Sequence, residues 1–224
     1  MIDYSGFVAK GRADVLAGDV HLERPPVDGG TRWGLAAIMR PTGTVLDELC
    51  ALARQAGRAA GAGHWVHGRN TLHFTLRSLE PYRDVVFPDD GPLAAYARAL
   101  DAATGGTGPL RIELRGLAPH AGGVQVLGHP VDDRLVTLQQ RFAAELGAAG
   151  AVEHWVRDIW YVGLLHFAAP LTDPRRLVDW CEALGDRSFG TAEIHAVEIA
   201  RFRLAEGAMT AQCLHKAPLT PGPA

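Results

Sequence analysis

Leu72-His73-Phe74-Thr75-Leu76 and Leu165-His166-Phe167-Ala168 carry one pattern twice, the second time without its hydroxyl. Side chains alternate along a strand with a period of two. His73 and Thr75 therefore share one face, and Leu72, Phe74 and Leu76 share the other. The apolar face anchors each strand to a core. The opposite face presents an imidazole, which moves protons near neutral pH. Two such imidazoles facing one cleft make a general base and a general acid.

The flanking segments repeat as well. Arg32 to Arg40 reads as a buried strand stopped by Pro41. Thr44 caps a helix with Val45, Leu49, Leu52 and Ala56 on its apolar side, ended by Gly57, Gly61 and Gly63. The first histidine strand follows, and then a helix with Leu93, Tyr96 and Leu100 inward, closed by Gly105-Gly106. The order then returns. Leu110 to Leu117 alternates as a strand, Gly122-Gly123 turns the chain, and a partner strand runs to Pro130. Asp132 or Asp133 caps a helix with Leu135, Leu138, Phe142 and Leu146 on one side. Trp160 to Pro170 carries the second histidine, and a helix with Leu177, Trp180 and Leu184 follows. Glu193 to Leu204 and Met209 to Leu214 read as a hairpin bent at Glu206-Gly207.

This duplication predicts one bilobal domain over residues 31–215, with halves near 31–108 and 109–215 about a pseudo-two-fold axis. Residues 1–30 carry little pattern and read as a flexible lead-in, marked by Pro25-Pro26 and Gly29-Gly30. Residues 216–224 read as a flexible tail.

At 224 residues, with 47% hydrophobic and 21% charged residues, the chain is long and apolar enough to bury a core. A net charge of −3 argues against bulk binding of duplex DNA, although it leaves room for a nucleotide in a local basic cleft. Cys50, Cys181 and Cys213 are odd in number and far apart, and read as small buried hydrophobes rather than as disulfide or zinc ligands. The N-terminus lacks a cationic start before an apolar run, and no segment is long enough to span a membrane, so the expected location is the cytoplasm.

The paired motifs resemble those of the two-histidine (2H) phosphoesterase superfamily, which contains the bacterial 2′-5′ RNA ligase-like (LigT-like) proteins and the cyclic nucleotide phosphodiesterases. The family pattern is His–hydrophobic–Ser/Thr–hydrophobic, once per lobe. His73-Phe74-Thr75-Leu76 matches it, and His166-Phe167-Ala168-Ala169 keeps the histidine alone. The resemblance covers residues 31–215. It implies a bilobal α+β fold, with two antiparallel sheets lining a central cleft and helices packed outside. It also implies attack on 2′,3′-cyclic or 2′-5′ phosphodiester bonds of small nucleotides or RNA ends, without metal or other cofactor. One of His73 and His166 takes a proton and the other donates one, in an order the sequence leaves open. The Thr75 hydroxyl binds a non-bridging phosphate oxygen. Ala168 lacks that donor, which removes about 2–4 kcal/mol of transition-state stabilisation where such a site acts as an oxyanion hole. Thr172 lies beyond Pro170 and is not assigned the missing role.

If the first histidine strand is unbroken, Arg77 and Arg69 share the face of His73, and each offers phosphate a planar fork. Tyr161, beside Trp160, is a candidate to stack on a base. His64-Trp65-Val66-His67 has metal-like spacing, but it lies in a glycine-rich loop without a carboxylate or thiol partner, so no metal site is assigned. His120, His129, His154, His195 and His215 read as surface or turn residues, and Arg201 and Arg203 as a solvated edge. No GxxxxGK[ST] or GxSxG motif is present. Two rival readings remain. One is a nucleotide- or RNA-end-binding module of the same fold with weakened chemistry, which Ala168 favours. The other is a duplicated scaffold for an unrelated metabolite, in which the two histidines would lie apart or be packed against apolar side chains.

Overall fold

The computed structural model describes residues 2–87, 89–205 and 208–222. In chain order the elements are α1 (Ser5–Ala17), β1 (Ala36–Met39), α2 (Gly43–Ala60), β2 (Trp65–Val66), β3 (Phe74–Ser78) and α3 (Gly91–Thr104). They continue with β4 (Leu110–His120), β5 (Gly123–Pro130), α4 (Arg134–Leu146), β6 (Trp160–His166), α5 (Pro174–Glu182), β7 (Ser188–Ile194), β8 (Ala196–Ala205) and β9 (Ala208–Pro218).

The fold is α+β with two antiparallel sheets. One has the strand order β3-β1-β8-β9 and the other β2-β6-β5-β4-β7. Leu46, Leu49, Leu52, Ala53 and Ala56 bury one side of α2 at helical spacing, and Leu135, Leu138, Phe142 and Leu146 do the same for α4. Asp90 and Asp173 cap α3 and α5 through bonds accepted from Leu93 N and Arg176 N, each with proline in the first turn. The helix expected to start at a Thr44 cap begins at Gly43, after Thr42.

The two halves do not fold as separate lobes of contiguous sequence. β1 is four residues long and buried throughout, so it needs a partner on each edge. β3 supplies one and β8, from the end of the chain, supplies the other. In exchange, β2 from the first half pairs with β6. The run from Glu193 to Leu204 is likewise not one strand. The chain leaves one sheet at Ile194 and enters the other at Ala196, so His195 marks the crossing. β8 and β9 pair from Ala196↔Pro218 to Ala205↔Ala208, while the expected bend at Glu206-Gly207 lies outside the described residues.

Both ends of the chain are more ordered than their composition suggests. Within α1 only Gly11 and Val15 are buried, so the sequence shows no apolar stripe. The helix is nonetheless tied down. A Cβ on Gly11 would lie 2.0 Å from the Pro119 carbonyl oxygen, so only glycine lets α1 approach β4 this closely. Just before α1, the buried Tyr4 hydroxyl donates to Gly128 O at 2.5 Å and accepts from Trp160 N at 3.1 Å. At the other end, β9 runs to Pro218, Leu219 is buried, and its N–H donates to His195 O at 2.8 Å. Of the expected tail, only Pro223-Ala224 lie outside the described residues.

Cys181 is buried, Cys50 half-buried and Cys213 exposed, which corrects the reading of all three as core residues. Arg201 is buried and donates to Asp84 O at 2.7 Å, so it is not a solvated edge residue. Among the described residues, no helix is long and apolar enough to cross a membrane.

Candidate active site

Each histidine strand carries a β-bulge beside its motif. Pairing between β1 and β3 steps from Ala37↔Arg77 to Ile38↔Thr75, which leaves Leu76 as an extra residue. Pairing between β5 and β6 steps from Val124↔Leu165 to Gln125↔Gly163, which leaves Leu164 as the extra one. A bulge reverses the inward–outward alternation beyond it. On β3, Thr75 and Ser78 therefore line a cleft that Arg77 does not reach. On β6, Tyr161, Gly163 and His166 line the same cleft. It has a volume of about 230 Å³ and also takes in Arg32, Trp33, His67, His73, His120, Gln125, Arg157 and Phe202.

His73 immediately precedes β3. A tight turn fixes it: Gly68 N donates to Thr71 Oγ1 at 2.9 Å, and Thr71 N donates to Gly68 O at 2.9 Å. His73 Nδ1 lies 2.6 Å from the Thr71 carbonyl oxygen. A carbonyl only accepts, so Nδ1 carries the hydrogen and Nε2 is a bare base. Burial pushes the pKa of His73 down to about 4. The Thr71 bond partly opposes this, and the charges of Arg40 and Arg157 reinforce it.

His166 ends β6 from the opposite sheet. The Trp33 ring meets it edge-on, 4.9 Å between centroids, and Glu23 places a carboxylate oxygen 3.9 Å from Nδ1. Burial, reinforced by His67 and Arg32, holds its pKa well below the usual imidazole range. His67 packs against both motif histidines, its ring 6.2 Å from His73 and 5.0 Å from His166. Burial and the neighbouring His73 bring its pKa down to about 3, partly opposed by a hydrogen bond to the Thr71 backbone. With these shifts all three imidazoles are neutral at pH 7.

Thr75 and Tyr161 stand where the sequence placed them, on the cleft wall, and Tyr161 also stacks on Phe7 at 6.4 Å. Arg77 and Arg69 do not. The Leu76 bulge turns Arg77 inward, where it is buried and donates to Gly150 O at 2.9 Å and to Glu153 O. Arg69 lies in the exposed turn before the strand begins and pairs with Asp47 at the surface. Arg157 is the arginine that lines the cleft beside Ser78. Its Nε and Nη2 donate to Glu153 at 2.9 and 2.6 Å, and that buried carboxylate also accepts from Ser78 N at 2.9 Å. Arg32 is a second cation on the cleft wall, bound to Glu23.

Several site residues carry no signal in the sequence. Arg157 follows α4 in an irregular segment, and Glu23, Arg32 and Trp33 lie in or beside the stretch read as a lead-in. That stretch is fastened to the site by Glu23 N donating to Phe167 O at 2.6 Å. Trp33 adopts φ 66°, a left-handed conformation uncommon for a bulky residue. His120 is on the cleft wall rather than the surface, with burial lowering its pKa to about 4.

The two histidines of the HxxH stretch diverge. His64 Nε2 lies 3.2 Å from Ala60 O, and its Nδ1 accepts from Ala168 N at 3.4 Å, while His67 turns to the cleft. Ala168 thus lies past the end of the cleft wall on this strand. Among the described residues, no three His, Cys, Asp or Glu side chains are grouped to hold a metal ion.

No family model and no curated protein matches the chain. Solved structures do. TT0787 of Thermus thermophilus superposes with a TM-score of 0.62 at 17% identity, covering 84% of this chain and 98% of that one. E. coli LigT complexed with ATP gives 0.56 at 14% identity, covering 83% and 97%. E. coli LigT complexed with 3′-AMP gives 0.56 at 12% identity, covering 84% and 98%. The chain has the fold of these proteins, and the resemblance read from the two histidine motifs holds at the level of fold.

Proposed function

We propose that this chain is a metal-independent phosphodiesterase or transesterase for 2′,3′-cyclic or 2′-5′ phosphodiester bonds of nucleotides or RNA ends. One observation carries the reading: His73, directly before β3 of one sheet, and His166, at the end of β6 in the other, reach a single cleft that Thr75 and Arg157 also line. His73, with Nε2 bare, takes the proton from water or a ribose hydroxyl. His166 protonates the leaving oxygen. An incoming phosphodiester anion offsets the charge of Arg32 beside His166 and, together with Glu23, favours its imidazolium form. The Thr75 hydroxyl and the Arg157 fork bind non-bridging oxygens as charge grows on them.

The cleft is small for a drug-sized ligand and suits a phosphate and its sugar, with the rings of Tyr161 and Trp33 on its lining for a base to pack against. E. coli LigT, which shares the fold, is seen with ATP and 3′-AMP, in keeping with a nucleotide ligand. In this reading the protein works in the cytoplasm, where its three unpaired cysteines stay reduced.

The test is to incubate purified protein with 2′,3′-cyclic AMP and with a 2′-5′-linked dinucleotide, with and without a chelator, and to identify the products. Hydrolysis or ligation unaffected by the chelator is expected. Inertness towards both substrates contradicts the reading. The neutrality of all three imidazoles favours one alternative, a nucleotide-binding module without efficient chemistry. It predicts tight binding of a 2′-phosphonucleotide with no turnover.

A further inference from the structure

His67 lies outside both motifs, yet it is the residue packed between them. The short strand β2 pairs Trp65 with His166 and Val66 with Leu165. The ladder then continues one step further, with His67 N donating to Leu164 O at 2.9 Å. That bond ties His67 to the bulged residue of β6 and directs its ring into the cleft, where it is 7% exposed.

Gly163 marks the place where two of the rings converge. A Cβ there would lie 3.7 Å from His67 Nε2 and 3.8 Å from His166 Nε2. Because Gly163 has no side chain, a hollow stays open between the two nitrogens, which is room for an anion to approach both. His67 Nδ1, by contrast, is buried without a partner. A neutral imidazole has one N–H, and placing it on Nδ1 would strand a buried donor, which proteins strongly avoid. Carried on Nε2 instead, the hydrogen is within reach of the Thr71 carbonyl, which interacts with this ring, and of an anion in the hollow.

The second motif offers no hydroxyl at Ala168, whose backbone N–H is turned to His64. We propose that His67 supplies the missing donor, its Nε2–H binding a non-bridging oxygen of the phosphodiester beside His166. This inference rests on reading the cleft as a phosphodiester site. Thr75 serves the phosphate on the His73 side and His67 serves it on the His166 side.

The test is a titration of inorganic phosphate into protein carrying 15N-labelled histidine, combined with binding measurements on two variants. Phosphate should shift the His67 Nε2 resonance. His67→Leu should weaken phosphate binding about tenfold or more, whereas His67→Gln, which keeps an N–H donor, should retain most of it. The wild-type spectrum decides the matter even if a variant fails to fold. Phosphate that moves His73 and His166 but leaves His67 unmoved overturns the assignment while leaving the phosphodiesterase reading standing. Absence of any phosphate binding also overturns it. Phosphate bound at His67 in a protein that turns over no cyclic nucleotide supports the assignment and rejects the enzyme reading.

Discussion

Glu153 holds Arg157 by two charge-assisted hydrogen bonds, at 2.9 and 2.6 Å, from a carboxylate with no solvent exposure. Arg157 lines the cleft, while the buried Glu153 carboxylate behind it also accepts from Ser78 N at the end of β3. In the proposed function this holds Arg157 in place ahead of the substrate, as an electrostatic clamp on phosphate requires. Replacing Arg157 with Ala is expected to lower kcat/KM about 10²-fold. Arg157→Lys should recover little, because an ammonium cannot reproduce the planar fork. Steady-state kinetics on a 2′,3′-cyclic nucleotide checks both.

Arg77 and Arg69 should behave quite differently from Arg157. Arg77 is buried and ties the segment from Gly150 to Glu153 to β3. Arg77→Met should cost about 1–3 kcal/mol of stability by orphaning those carbonyls, with turnover per folded molecule largely kept. Arg69→Ala should change stability by no more than about 0.5 kcal/mol and leave the kinetics unaltered, since its ion pair is exposed. Urea unfolding and activity at matched folded concentration separate the cases.

The buried histidines make stability depend on pH with a definite sign. His73 and His67 titrate at about 4 and about 3 in the folded protein, against 6.5 for an ordinary imidazole. Between these values the unfolded chain binds more protons than the folded one. Stability is therefore complete above about pH 6.5 and falls as the pH drops towards 4 and below. Unfolding midpoints at pH 7, 5.5 and 4 should show this loss, and His67→Gln should show less of it. If His73 is the base, the acid limb of kcat/KM should also lie near pH 4 rather than near 6.5.

The fastening of the N-terminal segment gives a further test. Tyr4→Phe leaves Gly128 O and Trp160 N without the hydroxyl that joins them, and about 1–3 kcal/mol of stability should be lost. A variant as stable as the parent would show that this hydrogen bond contributes nothing.

The sequence made the motif histidines, Thr75 and Tyr161 legible because each lies on a strand, or in the case of His73 directly before one, whose apolar partners advertise the alternation. It hid Arg157, Glu23 and Trp33 because irregular segments have no period to betray which way a side chain points. It misdirected the placement of Arg77 because one extra residue at Leu76 reverses the parity, and nothing in Phe74-Thr75-Leu76-Arg77 marks a bulge. His67 stayed hidden for a similar reason. A two-residue strand is too short to show alternation, and the HxxH spacing, to which no metal was assigned, says nothing of a neighbour such as His166. The pairing of β8 with β1 was invisible because strand neighbours far apart in sequence leave no local trace.

In the proposed function His73 and His166 act as one unit on a phosphodiester. The most direct test is the hydrolysis rate of 2′,3′-cyclic AMP by the parent, His73→Ala, His166→Ala and the double variant. Each single variant should lose about 10²–10⁴-fold in kcat, and the double should be little worse than either, because removing one member of a cooperating pair already disables it. Undiminished turnover in either single variant would contradict the account.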